Sequence, residues 1–535
     1  MNRRLLFALI VFLAAAAAAF AGARRQTQEA PAKDTIVFGV NLSATGLFHP
    51  TLNTSNADRE VVFLVFNRLV ATDPAGNYVP ELAESYTASP DARVYTFNLR
   101  KDVTWTDGQP FTAEDVAFTY ETTAHPGFFR GIDEFARRLE GADAYHEGNA
   151  PNVSGIKVID PYTVSFTFSA PYRDAMVKFI DIPVLAKHIW SKVPVENWME
   201  QGDLLRNPVG TGPYKLTEYA QDQYVRLERN EAYFKGVPRI KTFILKRSNP
   251  DTRQIEVING ELDVARVVSW KDRDLADYTS RNIPIVEVKS IMAYYIVFNS
   301  TDAVFQDPRI RLAAVHALDR PALITAIENG HAVTAETLIS PSQQVYPRDI
   351  TPYDFNTAKS YDLLRQAGYT DSNGDGIVEK NGQPLKVTLR YDNVDDTVLA
   401  QLVQAQLRKG GFDVEIIGSD FNTVLGVLRS TTDPFQIAFM GATYRPNPGY
   451  GAGHMWMARY EHDEENNRLI AQANGSTGDR EAAANFGAWG KYFHDQAPIA
   501  VLYFKSTGYA VNPRLVGYEP TTTEWFPSVE TWYFK

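Results

Sequence analysis

One stretch, Glu81 to Tyr120, limits more than any other what this chain can fold into. It reads ELAESYTASPDARVYTFNLRKDVTWTDGQPFTAEDVAFTY. Tyr95, Phe97 and Leu99 alternate with Thr96 and Asn98, the period-two pattern of a strand with one buried face. Asp107-Gly108 is a turn signal, because glycine reaches positive φ at little steric cost. Thr112 stands three residues before Asp115 and ahead of Val116, Phe118 and Tyr120, which predicts a capped helix start. A strand, a turn and a helix packed this closely point to a mixed α/β chain.

The same stretch carries a resemblance. Leu82–Tyr86 (LAESY) followed by Tyr95–Val116 (YTFNLRKDVTWTDGQPFTAEDV) resembles the signature region of the family 5 extracellular solute-binding proteins, the dipeptide and oligopeptide receptors of ABC importers. Asn207–Leu216 (NPVGTGPYKL), Asn259–Asp263 (NGELD) and Asp307–Arg320 (DPRIRLAAVHALDR) are similar to further segments of that family. On backbone grounds alone, Gly210 and Gly212 predict close approach or positive φ, and Pro213 fixes the exit. No Gly-Lys-Ser/Thr follows them, so a phosphate loop is not the reading.

The resemblance implies an α/β fold of the two-lobed periplasmic binding protein type (type II-like, family 5), with an extra α/β domain on the first lobe. The first lobe is then discontinuous, over 34–75, 182–296 and 503–535. The extra domain is 76–181 and the second lobe 297–502, with hinges near Tyr295–Asn299 and Ile499–Tyr503.

A chain of 535 residues suits several domains. Net charge −11, with no basic stripe, argues against a nucleic-acid partner. Arg3 and Arg4 precede an apolar run from Leu5 to Phe20, and Ala19-Phe20-Ala21 fits a signal-peptide cleavage site. Residues 1–21 are therefore expected to be a signal peptide, with Ala23 as a second cleavage choice, and 22–33 a polar linker. The chain has no cysteine, hence no disulfide and no lipid-anchoring cysteine. The expected location is the periplasm, as a soluble protein.

No H-E-x-x-H, G-x-S-x-G, Walker A or nucleophilic cysteine occurs, so no enzyme activity and no cofactor are expected. A secreted glycoside hydrolase with paired carboxylates is the enzyme alternative. Asp371-Ser372-Asn373-Gly374-Asp375-Gly376 resembles the start of a calcium loop, but Gly382 stands at the twelfth position where a bidentate Glu is needed. Asp371, Asn373 and Asp375 are kept as weak calcium candidates against an Asp/Gly-rich turn. His454, Glu461, His462 and Asp463 are read as a solvated loop or helix end.

The ligand is the open question. Peptide-binding members place an Asp after a second-lobe strand to pair with the peptide α-amine. Aligned on Pro446, that position here is Ala442, and Arg445 lies nearby, a charge that repels an ammonium. Tyr444, Tyr450 and Trp456 offer flat faces suited to sugar rings. The expected ligand-binding set is Asp58, Trp270, Asn299, Tyr444, Arg445, Tyr450 and Trp456. The partners implied are a peptide or an oligosaccharide, and the ABC permease subunits in the membrane. A monomer is expected, since lobe closure needs free outer faces.

Overall fold

The computed structural model describes residues 33–535 apart from 42, 54, 74–76, 130, 174, 344, 393–395, 431, 444–452, 477–478 and 522–523. The expected signal peptide, most of the linker, and Tyr444, Arg445 and Tyr450 lie outside the described residues. Among the described residues, no helix is long and apolar enough to cross a membrane.

The predicted unit forms as read. Val94–Leu99 is an inner strand of a four-stranded antiparallel sheet with Ala83–Ala88, Thr163–Thr167 and Ile156–Asp160. Helix Ala113–Thr122 starts at Thr112, whose backbone N–H donates to the Asp115 carboxylate at 2.9 Å. The sheet buries Phe97 and Phe166 against Tyr120 and Phe179, with the Phe97 and Phe179 rings 4.7 Å apart and steeply inclined. Such edge-to-face contacts suit the aromatic quadrupole.

A second sheet of 11 strands organises the rest. At one end, Lys386–Asp392 pairs in parallel with Asp413–Ser419 and Ile437–Thr443. Towards the other end, Thr35–Val40 pairs in parallel with Thr242–Arg247 and Val264–Arg266. Two long antiparallel strands join these sets, Ile285–Phe298 and Ile499–Val511. The first half of Ile285–Phe298 lies beside first-lobe residues, and its second half pairs with Ile437–Thr443. The pair slips register between Lys289 and Met292 and again between Tyr294 and Tyr295. Bulges of this kind bend a strand and sharpen its twist. The second slip falls at the first residue of the segment Tyr295–Asn299 named from sequence.

The apolar cores follow the same division. One runs from Ile36 to Val264 and resumes at Val511, joining the first lobe and the four-stranded domain. Two others are built from residues between Ala293 and Phe504.

The glycine motif explains how the first lobe closes. Gly212 donates its backbone N–H to the Val65 carbonyl at 2.8 Å, at the end of helix Asn56–Val65. A Cβ at Gly210 would lie 1.9 Å from that carbonyl oxygen and one at Gly212 2.5 Å from the Val65 carbonyl carbon. Close approach, rather than positive φ, is what requires glycine here.

Candidate functional site: a cavity between the lobes

The parallel strands Thr35–Val40 and Val264–Arg266 end on the same side of the sheet, and such carboxyl ends are where open α/β sheets form ligand crevices. A cavity of about 510 Å³ opens there. Asn41, Arg253 and Arg266–Lys271 form its first-lobe wall, and Thr325–Asn329, the end of helix Arg320–Glu328, its second-lobe wall. Lys505–Gly508, on the joining strand, is its floor. A volume of this order holds a small solute. Another cavity, about 480 Å³, lies between helix Asn56–Val65 and the four-stranded domain and touches no second-lobe residue. A third, beside Val40 and Tyr224, has about 10 Å³ and no room for a solute.

Trp270 lines the cavity and ties the lobes together. Its ring stacks on His331 at 3.9 Å and 9°, and its carbonyl accepts from Asn329 Nδ2 at 2.8 Å. The Asn329 amide also reaches Asp272 at 2.8 Å, and His331 Nδ1 lies 3.0 Å from Glu287. Gly508 is required beneath the indole, since a Cβ there would meet it at 2.6 Å.

The lining is cationic. Arg253, Arg266, Lys271 and Lys505 face a single lining carboxylate, Glu328. Lys505 Nζ sits 3.1 Å from that buried carboxylate. Arg253 is buried and donates to the Ser248 carbonyl at 2.7 Å. Arg266 donates to Thr507 Oγ1 at 3.4 Å. Among the described residues no carboxylate forms an ion pair with either arginine. Glu60, on helix Asn56–Val65, comes near Arg266 without bonding it; its Oε2 is buried and accepts no hydrogen bond. Burial pushes the Glu60 carboxyl up to about 8, although the Arg266 charge pulls it down.

Two of the expected ligand residues have their polar atoms bonded within the protein. Asp58 is fully buried, and Thr45 N, Gly46 N, Thr45 Oγ1 and Ser55 Oγ donate to its two oxygens at 2.6–3.1 Å. Ser55 caps the helix and accepts from Asp58 N, so this carboxylate is held in a local network at the helix start. Asn299 is buried in the second lobe, where Nδ2 donates to the Phe435 carbonyl and Oδ1 accepts from the Thr301 N–H and hydroxyl. Its polar atoms are used up in a turn. Trp456 lies half-buried against the second-lobe core in the turn of 3₁₀ helix Gly453–Ala458.

The calcium-like loop brings Asp371, Asp375 and Glu379 within 4.8 Å of one another. The loop's own backbone donates to them: Gly374 N and Gly376 N to Asp371, Ile377 N to Asp375 and Ser372 N to Glu379. Asn373 likewise accepts from Asp375 N. The arrangement is that of an Asp/Gly turn. Asp463 caps helix Glu464–Asn474 and accepts from the Tyr492 hydroxyl, and His462 turns to the Arg459 carbonyl, so these two serve local structure.

Arg266, Lys505, Glu328 and Glu60 were not anticipated. Signals existed: Arg266 stands between Ala265 and two valines, and Lys505 is a lone charge inside the apolar run Ala500–Val511. A charge in a buried strand needs a partner or a task.

Two lobes joined by paired strands, with a cavity between them, define a solute-binding receptor of the hinged type. Residues 77–461 match the family model described as "Bacterial extracellular solute-binding proteins, family 5 Middle", and the chain belongs to that family. It is 24% identical over 506 residues to the oligopeptide-binding protein AppA of Bacillus subtilis, covering 91% of this chain and 89% of that one. The nickel-binding periplasmic protein of Escherichia coli is 27% identical over 433 residues, covering 78% and 77%. The structure of Bacillus subtilis AppA in complex with a nonapeptide superposes with TM-score 0.71 at 25% identity, over 94% of this chain and 99% of that one. The family is one of solute-binding receptors.

Proposed function

We propose that this chain is the substrate-binding receptor of an ABC importer, taking a peptide-type solute between its lobes and handing it to the membrane permease. The observation that carries this is the cavity of about 510 Å³ with walls from both lobes and a floor on the joining strand. A solute there touches both walls, so it binds the closed state more tightly than the open one. That difference drives closure. Nothing in the lining pairs a nucleophile with a base, which suits a receptor that releases its solute unchanged.

Residues 1–21 act in this reading as a removed export signal, which places the mature protein in the periplasm as a monomer. Lobe boundaries near 34–75, 182–296 and 503–535 for the first lobe, 76–181 for the extra domain and 297–502 for the second belong to the same proposal. Among the described residues of the expected ligand set Trp270 lines the cavity, and Tyr444, Arg445, Tyr450 and Trp456 are proposed to complete the second-lobe side.

A second reading, an oligosaccharide receptor on the same fold, is favoured by Ala442 where peptide-binding relatives carry an amine-pairing Asp. Calorimetry with tri- to pentapeptides and with matched oligosaccharides separates the two. Micromolar peptide binding supports the first, and oligosaccharide binding without any peptide binding replaces it with the second.

A further inference from the structure

We infer that the solute carries two or more carboxylates and that Arg266, on the first-lobe wall of the cavity, selects for them. The inference rests on the receptor reading above and names the chemistry its cavity recognises.

The charge count is the first support. Among the described residues four cationic side chains line the cavity with one carboxylate, Glu328, and Lys505 holds that carboxylate at 3.1 Å. Arg253 is satisfied by the Ser248 carbonyl, but its charge is not neutralised, and it adds to the field at the Arg266 wall. A cleft lined by one sign of charge concentrates ligands of the other.

The second support is how Arg266 is presented. A planar guanidinium binds a carboxylate bidentately, and here it spends one long hydrogen bond on Thr507. The groups facing it and Glu60 are few. Tyr509, paired with Arg266 across the strands, and Tyr518 both lie close to Glu60. Burial pushes Tyr509 up to about 12 and Tyr518 well above its usual range, so both stay neutral. Glu60 itself keeps its proton to about pH 8. Below that pH the Arg266 charge faces the cavity uncompensated. Above it Glu60 ionises and competes with an arriving carboxylate.

The third support is negative. Among the described lining residues a peptide ammonium meets no free carboxylate, because Glu328 is engaged by Lys505.

The test is calorimetry at pH 6.5 and low salt with two matched pairs: N-acetyl-triglutamate against N-acetyl-trialanine, and trigalacturonate against cellotriose. In whichever pair binds, the charged member is expected to be at least ten-fold tighter. Arg266→Gln should erase that preference, Arg266→Lys should keep most of it, and circular dichroism verifies that both variants fold. Affinity for the charged member should fall as pH rises from 7 to 9, and Glu60→Gln should flatten that dependence. A neutral member binding as tightly as its charged partner overturns the inference and leaves the receptor reading intact. Binding in the sugar pair alone, with the charge preference present, overturns the peptide reading and supports the inference. Binding of none of the four at millimolar concentration overturns both.

Discussion

Two arginines of the first lobe, Arg68 and Arg266, sit in opposite surroundings. Arg68 is buried and closed. Its guanidinium donates to Glu524 at 2.9 and 3.0 Å, to Glu81 at 3.2 Å and to the Ile180 carbonyl at 3.3 Å. It thereby pins the exit of helix Asn56–Val65 to the four-stranded domain and to the C-terminal segment. Burial works against the Glu81 charge, but Arg68 and Lys235 outweigh it and hold that carboxyl below its usual range. Arg266 is half-exposed at a cavity wall, with one weak hydrogen bond and a carboxyl neighbour that stays protonated at neutral pH. The contrast teaches how to tell a structural charge from a recognition charge in this fold. The first makes four hydrogen bonds from its five guanidinium N–H groups, and the second makes one.

Substitutions can break or sharpen that contrast. The largest effect is expected at Arg68→Met, which strands two buried carboxylates and should cost about 3–5 kcal/mol in denaturant unfolding. A loss under about 1 kcal/mol would mean that the network is not closed. Glu60→Gln should act in the other direction. The folded carboxyl titrates near 8 against a usual 4.5, so the folded state holds a proton that the unfolded state has lost between those values. Wild-type stability therefore falls as pH rises through that window. The glutamine variant should be more stable by about 4 kcal/mol at pH 8 and unchanged at pH 4. Equal stability at both pH values would remove Glu60 from the account. Asp58→Ala should cost about 2 kcal/mol by leaving the donors of Thr45, Gly46 and Ser55 unpaired, and leave solute affinity as it was, which thermal unfolding and calorimetry can separate. The smallest stability change, within about 0.5 kcal/mol, is expected at Arg266→Gln, the same change that should weaken binding most.

The residues that could be read from sequence are those whose partners are close along the chain. Thr112 and Asp115 announce their helix from three residues apart, and the alternation over Tyr95–Leu99 sets the strand. Gly210 and Gly212 were legible as a close approach, though not that Val65 is what approaches. The cavity was not legible. Arg266, Thr507 and Glu60 meet only because the strands Val264–Arg266 and Ile499–Val511 pair across some 240 positions of sequence. Asp58 misled for a related reason. A carboxylate at a helix start has the same letter whether it faces a cleft or folds back on Ser55 and Thr45.

The account rests most directly on closure, and small-angle scattering measures it. With saturating solute, the radius of gyration should shrink by about 1 Å or more as the lobes swing together, and Trp270 fluorescence should change with it. A bound solute that leaves the scattering curve identical to that of the free protein would contradict it.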